Sequence, residues 1–334
     1  MTKLWQLFLA SCVAWAIPTM VKAQNLGLNF AATDPDAATS SLNPTDVAGV
    51  VPQANWNNLE LNTGTDVGSL EYDNNGTPVA STATVSWTSN NTWRSTDTGN
   101  NAFPAGPDRV LMAGYLDTLD TTAGAISLTV NNIDAVLRTP AYDVYVYMLG
   151  DSGENRGGGY TLDDGSGPIV KYGSTMAGPT AHVEDPGTDI DNSLDGTYLR
   201  FTSLTGSSFT LTADTTLTTP NGFRSPINGL QIVPVTPGDV NGDGLVNITD
   251  FHIIRSNLFK TGQSEAQGDL VGTGGVVDFA DYREWKTHAG AGFASVALFG
   301  SVPEPSSALL FTLGAAIAAI AGRRAERRYS RWAR

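Results

Sequence analysis

Cysteine, basic residues and charged residues in general are scarce in this chain of 334 residues. Its single cysteine, Cys12, excludes an intramolecular disulfide framework, and 19 basic against 33 acidic residues give a net charge of −14. A general nucleic-acid binder needs a basic stripe to neutralise phosphates, so no nucleic-acid partner is expected. Only 16% of the residues are charged, whereas there are 36 glycines and 17 prolines, which favours strands and turns over long helices.

The N-terminus has the build of a secretory signal peptide, predicted over residues 1–23. Lys3 precedes an apolar run at residues 4–17, and small side chains precede the expected cleavage point before Gln24. The run is shorter than the ~20 residues that span a bilayer, although an N-terminal anchor and lipoprotein processing at Cys12 are alternatives. Without the signal, the mature chain has no cysteine and therefore no thiol nucleophile.

The C-terminus combines a short motif, an apolar run at residues 308–322 and six following arginines. The motif consists of Pro303, Glu304 and Pro305. Residues 302–334 resemble the PEP-CTERM sorting signal of Gram-negative bacteria. The resemblance implies cleavage by an exosortase and delivery to the cell surface or extracellular matrix, with transient anchoring in the inner membrane. Arginines that follow an apolar helix keep that end of the chain in the cytoplasm. The same arrangement is also that of a plain membrane anchor, which is the alternative to a sorting signal. Residues 290–301 form the expected linker.

A calcium-binding loop is predicted at residues 239–250. Oxygen-bearing side chains occupy loop positions 1, 3, 5, 9 and 12, and a carbonyl occupies position 7, as a hard cation requires. The expected ligands are Asp239, Asn241, Asp243, the Leu245 carbonyl, Asn247 and Asp250. Gly244 stands at position 6, where the chain turns sharply. A metal-free Asn/Asp/Gly turn is the alternative.

The loop has an imperfect copy further along the chain. With one inserted residue, Asp269, Asp278 and Asp281 match positions 1, 9 and 12. Val271 and Thr273 replace two expected side-chain ligands, so we predict one good calcium site and one weak or empty site. A helix is expected after each loop.

Residues 238–289 therefore resemble a type I dockerin, in which each EF-hand-type loop is followed by one helix. The resemblance implies a small α-helical module folded around calcium that docks to a cohesin domain on another protein. By position, the partner-facing pairs would be Ile248 with Thr249 and Phe279 with Ala280. About 50 residues bury too little core alone, so we expect the ion to supply much of the folding free energy.

Residues 24–234 are predicted to form a mainly β domain. About nine short segments rich in β-branched and aromatic residues, several alternating with period two, are separated by Gly, Asn and Asp clusters. This pattern favours a jelly-roll-like two-sheet β-sandwich. It is similar to galactose-binding-like and carbohydrate-binding sandwiches in pattern alone.

Two tryptophans in Asn-rich segments, Trp56 and Trp93, are the candidates for exposed glycan-binding residues, with core packing as the alternative. No catalytic residue is predicted, because His182 is the only histidine of the β domain and no HExxH spacing accompanies it. The sequence thus predicts an exported, non-catalytic, calcium-binding surface or matrix protein with polysaccharide as a candidate ligand. A polysaccharide-degrading enzyme and a structural matrix protein are the alternatives.

Overall fold

The computed structural model describes residues 24–32, 40–95, 99–118, 125–151, 157–188, 195–215, 224–242, 245–271 and 275–289. The chain divides into two compact units, Met1–Gly290 and Ala291–Arg334. The predicted signal peptide, the linker, the Pro303–Glu304–Pro305 motif and the apolar run at 308–322 lie outside the described residues.

The described strands form two large sheets and one strand pair. The first sheet has the order β13-β10-β15-β1-β4-β5 with β2 beside β1, the second has the order β12-β11-β14-β9-β6-β3, and β7 pairs with β8. All of these pairs are antiparallel except β1 with β2. The strands are β1 (Gln24–Phe30), β2 (Asn57–Leu59), β3 (Thr63–Val67), β4 (Glu71–Asn74), β5 (Thr77–Ala80), β6 (Thr84–Thr88), β7 (Asn91–Arg94), β8 (Gly114–Asp117), β9 (Ala125–Asn131), β10 (Tyr142–Tyr147), β11 (Gly157–Asp163), β12 (Ile169–Ser174), β13 (Tyr198–Leu204), β14 (Phe209–Asp214) and β15 (Gly229–Pro234).

The main core is built from the inward-facing residues of the two large sheets. In β9, Ile126, Leu128 and Val130 are buried while the residues between them are more exposed. This period-two pattern is what a strand with one face on a core requires. The prediction of a mainly β, two-sheet sandwich is confirmed.

Strand β10 is buried on both faces, because a second apolar cluster covers the outer side of the first sheet. Tyr145 and Tyr147 point into this cluster, where Trp56 and Phe103 also lie. The outer face of β10 also contacts the segment that leads into α2, through Tyr145 and Gly242.

Three α-helices and two short 3₁₀ helices occur in the described residues. They are α1 (Pro107–Leu111), α2 (Ile248–Asn257) and α3 (Phe279–His288), with 3₁₀ turns at Ala135–Leu137 and Glu265–Gln267. Helices α2 and α3 pack through aromatic rings, with Phe251 5.1 Å from Trp285 between ring centroids. No helix in this described part of the chain combines the length and apolarity needed to cross a bilayer.

Candidate functional site

Asp250 closes the first predicted calcium loop. This carboxylate is fully buried, and it stands three residues after Asn247, the N-cap of α2. Its Oδ1 accepts hydrogen bonds from the backbone N–H of Val240 at 2.8 Å and Asn241 at 3.2 Å, and its Oδ2 accepts from Asn247 N–H at 2.7 Å. One side chain therefore joins the start of the loop to the start of the helix, and its charge lies at the helix N-terminus, where it is stabilising.

Three other described oxygen atoms of this loop that could coordinate a metal ion each accept a local hydrogen bond, which orients them. Asp239 Oδ1 accepts from Gly242 N–H at 2.9 Å, and Asn247 Oδ1 accepts from Thr249 N–H at 2.7 Å. The Leu245 carbonyl accepts from Asn247 Nδ2 at 3.3 Å. Carboxylate, amide and carbonyl oxygens are the donors that a hard cation prefers, so the chemistry of this set fits calcium.

The second loop repeats the first in three dimensions. Asp281 is also fully buried, and it accepts from the N–H groups of Leu270 at 2.7 Å, Val271 at 2.8 Å and Asp278 at 2.7 Å. These are the same three bonds, in the same order, as those of Asp250. Asp278 caps α3 as Asn247 caps α2. The capping hydrogen bonds of the two segments therefore repeat each other, although the side chains at other positions of the two loops differ.

Asp269, the first position of the second loop, has a buried Oδ1 with no hydrogen-bond partner among the described residues. Burial and then the nearby charge of Asp281 raise the pKa of the Asp269 carboxyl. No three His, Cys, Asp or Glu side chains converge as a metal-binding group within the described ranges. Asp243, at position 5 of the first loop, falls outside those ranges.

Several apolar side chains at the helix ends are exposed to solvent. Ile248 is 38% exposed at the start of α2, and Phe279 is 44% exposed at the start of α3. Phe259, just after α2, is 60% exposed, and its ring lies 5.6 Å from that of Phe279 in an edge-to-face arrangement. We call Phe259 and Phe279 the aromatic pair. Of the residues assigned from the sequence to partner contact, Ile248, Thr249 and Phe279 are thus exposed, and Ala280 is half-buried.

The exposure prediction is wrong for Trp56 and confirmed for Trp93. Trp56 is only 5% exposed, because it packs in the second apolar cluster, 6.0 Å from Tyr147 between ring centroids. Its Nε1 donates to the Gln53 carbonyl at 3.1 Å. Trp93 is 47% exposed on β7, and its Nε1 donates to Asp151 Oδ2 at 3.3 Å. The half-exposed indole of Trp93, beside a carboxylate, remains a candidate surface on which a sugar ring could stack.

His182 belongs to a packed pair with Asp108. Its Nε2 lies 3.2 Å from Asp108 Oδ1, and its ring contacts Phe103 and Tyr147. Burial alone would raise the pKa of Asp108, but hydrogen bonds from His182 and Gly49 hold it below its ordinary value. The pair joins α1 to the second apolar cluster.

Residues that sequence reasoning missed lie where the sandwich contacts the first loop. Tyr145 of β10 donates from Oη to the Gly242 carbonyl at 3.3 Å, across 97 residues of sequence. Arg200 of β13 lies beside the same glycine. No local pattern could have identified these residues, because the contact depends on the folding of distant segments.

Comparisons with known proteins address the C-terminus most directly. Residues 301–328 match a family model described as the PEP-CTERM protein-sorting motif. This motif implies an exported protein that an exosortase processes and sorts to the cell surface.

No curated protein matches the chain. Among solved structures, the ANX1 ectodomain from Arabidopsis thaliana is similar at 11% identity with a TM-score of 0.29. The match covers 64% of this chain and 49% of that ectodomain, so the chain spans about half the length of that structure.

Proposed function

We propose that this exported protein is a non-catalytic component of the cell surface or extracellular matrix, assembled through a calcium-binding, dockerin-like segment at residues 238–289. The observation that carries the proposal is the repeated loop-and-helix unit, in which Asp250 and Asp281 make the same three backbone hydrogen bonds. In this proposal the sandwich, of jelly-roll type, is the displayed domain. The apolar run at residues 308–322 anchors the chain in the inner membrane until the sorting enzyme acts.

The first loop is the principal calcium site in this proposal. The residues that would hold the ion are Asp239, Asn241, Asp243, Leu245 through its carbonyl, Asn247 and Asp250. When bound, the ion supplies positive charge that offsets carboxylates gathered in a small, partly buried loop. Asp269, Asp278 and Asp281 form the weaker site, because Val271 supplies no side-chain oxygen.

The partner would contact the exposed residues at the helix starts. Ile248 with Thr249 and Phe279 with Ala280 are the proposed partner-facing pairs, and a cohesin-like domain is the proposed partner. Contiguous exposed apolar surface marks protein interaction sites, and Phe279 belongs to such a surface through the aromatic pair it forms with Phe259. The exposure of Ile248 and Phe279 supports this assignment.

Calcium titration of the full chain by calorimetry tests the metal assignment. Asp239→Asn keeps the shape and one acceptor oxygen but removes a charge, so we expect calcium affinity to fall about tenfold or more. Asp66→Asn, which removes an exposed charge from the sandwich, is the matched control and should leave affinity unchanged. Absence of calcium binding by the wild-type chain would refute the proposal.

A second candidate function is polysaccharide binding at Trp93. It is supported by the exposure of the ring and by the Asp151 carboxylate that fixes the indole orientation. Aromatic faces with adjacent polar groups suit sugar rings. Trp93→Ala should reduce retention on insoluble polysaccharides, whereas Leu61→Ala, which removes another exposed apolar side chain, should not. Equal retention by both variants would eliminate this site, and reducing sugar released from a polysaccharide panel would favour an enzyme.

A further inference from the structure

The first calcium loop does not stand alone, because its fourth residue rests on the sandwich. Gly242 has φ +70°, and its backbone lies so close to β10 and β13 that a Cβ there would come within 2.8 Å of Tyr145 Oη and 3.0 Å of Arg200 Cζ. The same glycine donates its N–H to Asp239, the first ligand of the loop. A side chain that contacts Gly242 is therefore linked to Asp239, a proposed calcium ligand, through a single hydrogen bond.

The sandwich side of this contact is preorganised. Tyr145 and Arg200 are directly opposite each other in the β10–β13 register, and the guanidinium lies 5.5 Å from the Tyr145 ring centroid. Asp143 holds Arg200 through its Oδ2, at 2.7 Å from Nε and 2.6 Å from Nη2. All three side chains are buried. They present a fixed surface to the loop, because their rotamers are held by neighbours on the same sheet.

The contact between Gly242 and the sandwich leaves little empty space, and the Tyr145 hydroxyl is its hydrogen-bond donor. Asp143, Tyr145, Arg200, Asp239 and Gly242 are among the residues that line a crevice of about 10 Å³, which is room for about one water molecule. Burial raises the pKa of the Tyr145 phenol, so the group stays protonated and remains a donor to the Gly242 carbonyl.

We propose that Tyr145 and Arg200 are positioning residues for the first calcium loop, so that the sandwich increases the affinity of the loop for calcium. This inference rests on the proposed calcium function. Neither residue is a ligand; each acts by holding Gly242, and through it Asp239, in one conformation. Binding energies are reciprocal, so calcium must strengthen the contact between loop and sandwich by the same factor.

The test compares two conservative variants of the full chain on the same strand. Tyr145→Phe removes only the hydroxyl that donates to Gly242. Tyr142→Phe is the matched control, because Tyr142 is buried and its hydroxyl has no hydrogen-bond partner among the described residues. We expect Tyr145→Phe to raise the calcium Kd about fivefold, equivalent to about 1 kcal/mol, with Tyr142→Phe unchanged.

A second measurement separates positioning from general stability. Without calcium, Tyr145→Phe should melt below Tyr142→Phe, because only the Tyr145 hydroxyl has a hydrogen-bond partner to lose. The further rise in melting temperature on adding calcium should be smaller for Tyr145→Phe than for Tyr142→Phe, which a purely structural role would not produce. Equal calcium affinity in wild type and Tyr145→Phe, or equal weakening in both variants, would overturn the inference while leaving calcium binding intact. If the wild-type chain binds no calcium, the proposed function fails instead.

Discussion

Asp250→Asn and Asp281→Asn form a matched pair of substitutions that tests the proposed calcium sites one loop at a time. In each loop the aspartate accepts three backbone N–H bonds, two at Oδ1 and one at Oδ2. An asparagine can keep the two bonds at its oxygen, but its NH₂ group then faces the N–H of the helix N-cap, so one partly buried donor loses its acceptor.

The expected loss without calcium follows from these contacts. An unsatisfied buried donor costs about 1–3 kcal/mol, and removal of the negative charge from a helix N-terminus adds about 0.3–1 kcal/mol. Each variant should therefore lose about 1–4 kcal/mol of unfolding free energy in a chelator. The two losses should be similar, because the hydrogen bonds are the same.

Calcium should separate the two variants. Asp250→Asn should also lose most of the stabilisation that calcium gives the wild type, whereas Asp281→Asn should retain it, because the second loop lacks side-chain oxygen at Val271. Denaturant unfolding monitored by circular dichroism, with calcium and with chelator, measures both quantities. The reasoning is refuted if Asp281→Asn abolishes the calcium effect, or if neither variant destabilises the chelated protein.

Two further predictions concern the sandwich. Gly27→Ala should cost about 1–3 kcal/mol of unfolding free energy, because its Cβ would lie 2.6 Å from Trp56 and Gln53 atoms, whereas Gly68→Ala meets nothing nearer than 3.7 Å and should be nearly neutral in the same denaturation assay. Burial alone would raise the pKa of Asp164, but N–H groups of Gly206, Thr205 and Ser166 lower it below the model-compound value of 3.8. The ionised form therefore stabilises the fold above about pH 4, and this contribution is lost as the pH falls through the folded pKa. Asp164→Asn should reduce the loss of unfolding free energy between about pH 4 and lower pH. An unchanged pH dependence would contradict the lowered pKa of Asp164.

Local sequence was enough to predict the helix starts of the C-terminal segment. Asn247 precedes Asp250 by three residues, as Asp278 precedes Asp281, and both pairs form capping boxes. The alternation of β9 likewise predicted a strand with one buried face. The polar strands β2 to β5 have three to five residues each and no apolar run, so a count of about nine strands was too low.

The burial of Trp56 depended on tertiary structure. Its Asn-rich neighbours predicted a loop at the surface, but Gly27 and Gly49 leave space for the indole in the second apolar cluster, on the outer side of the first sheet. The contact of Gly242 with Tyr145 and Arg200 was equally hidden, because side chains from two sandwich strands meet a loop far along the chain. The spacing of residues within about a dozen positions thus determined the order of the oxygen-bearing side chains in the loops and the N-caps of the helices that follow. Only folding decided which surface supports those donors and which aromatic rings reach solvent, because both depend on the pairing of distant strands.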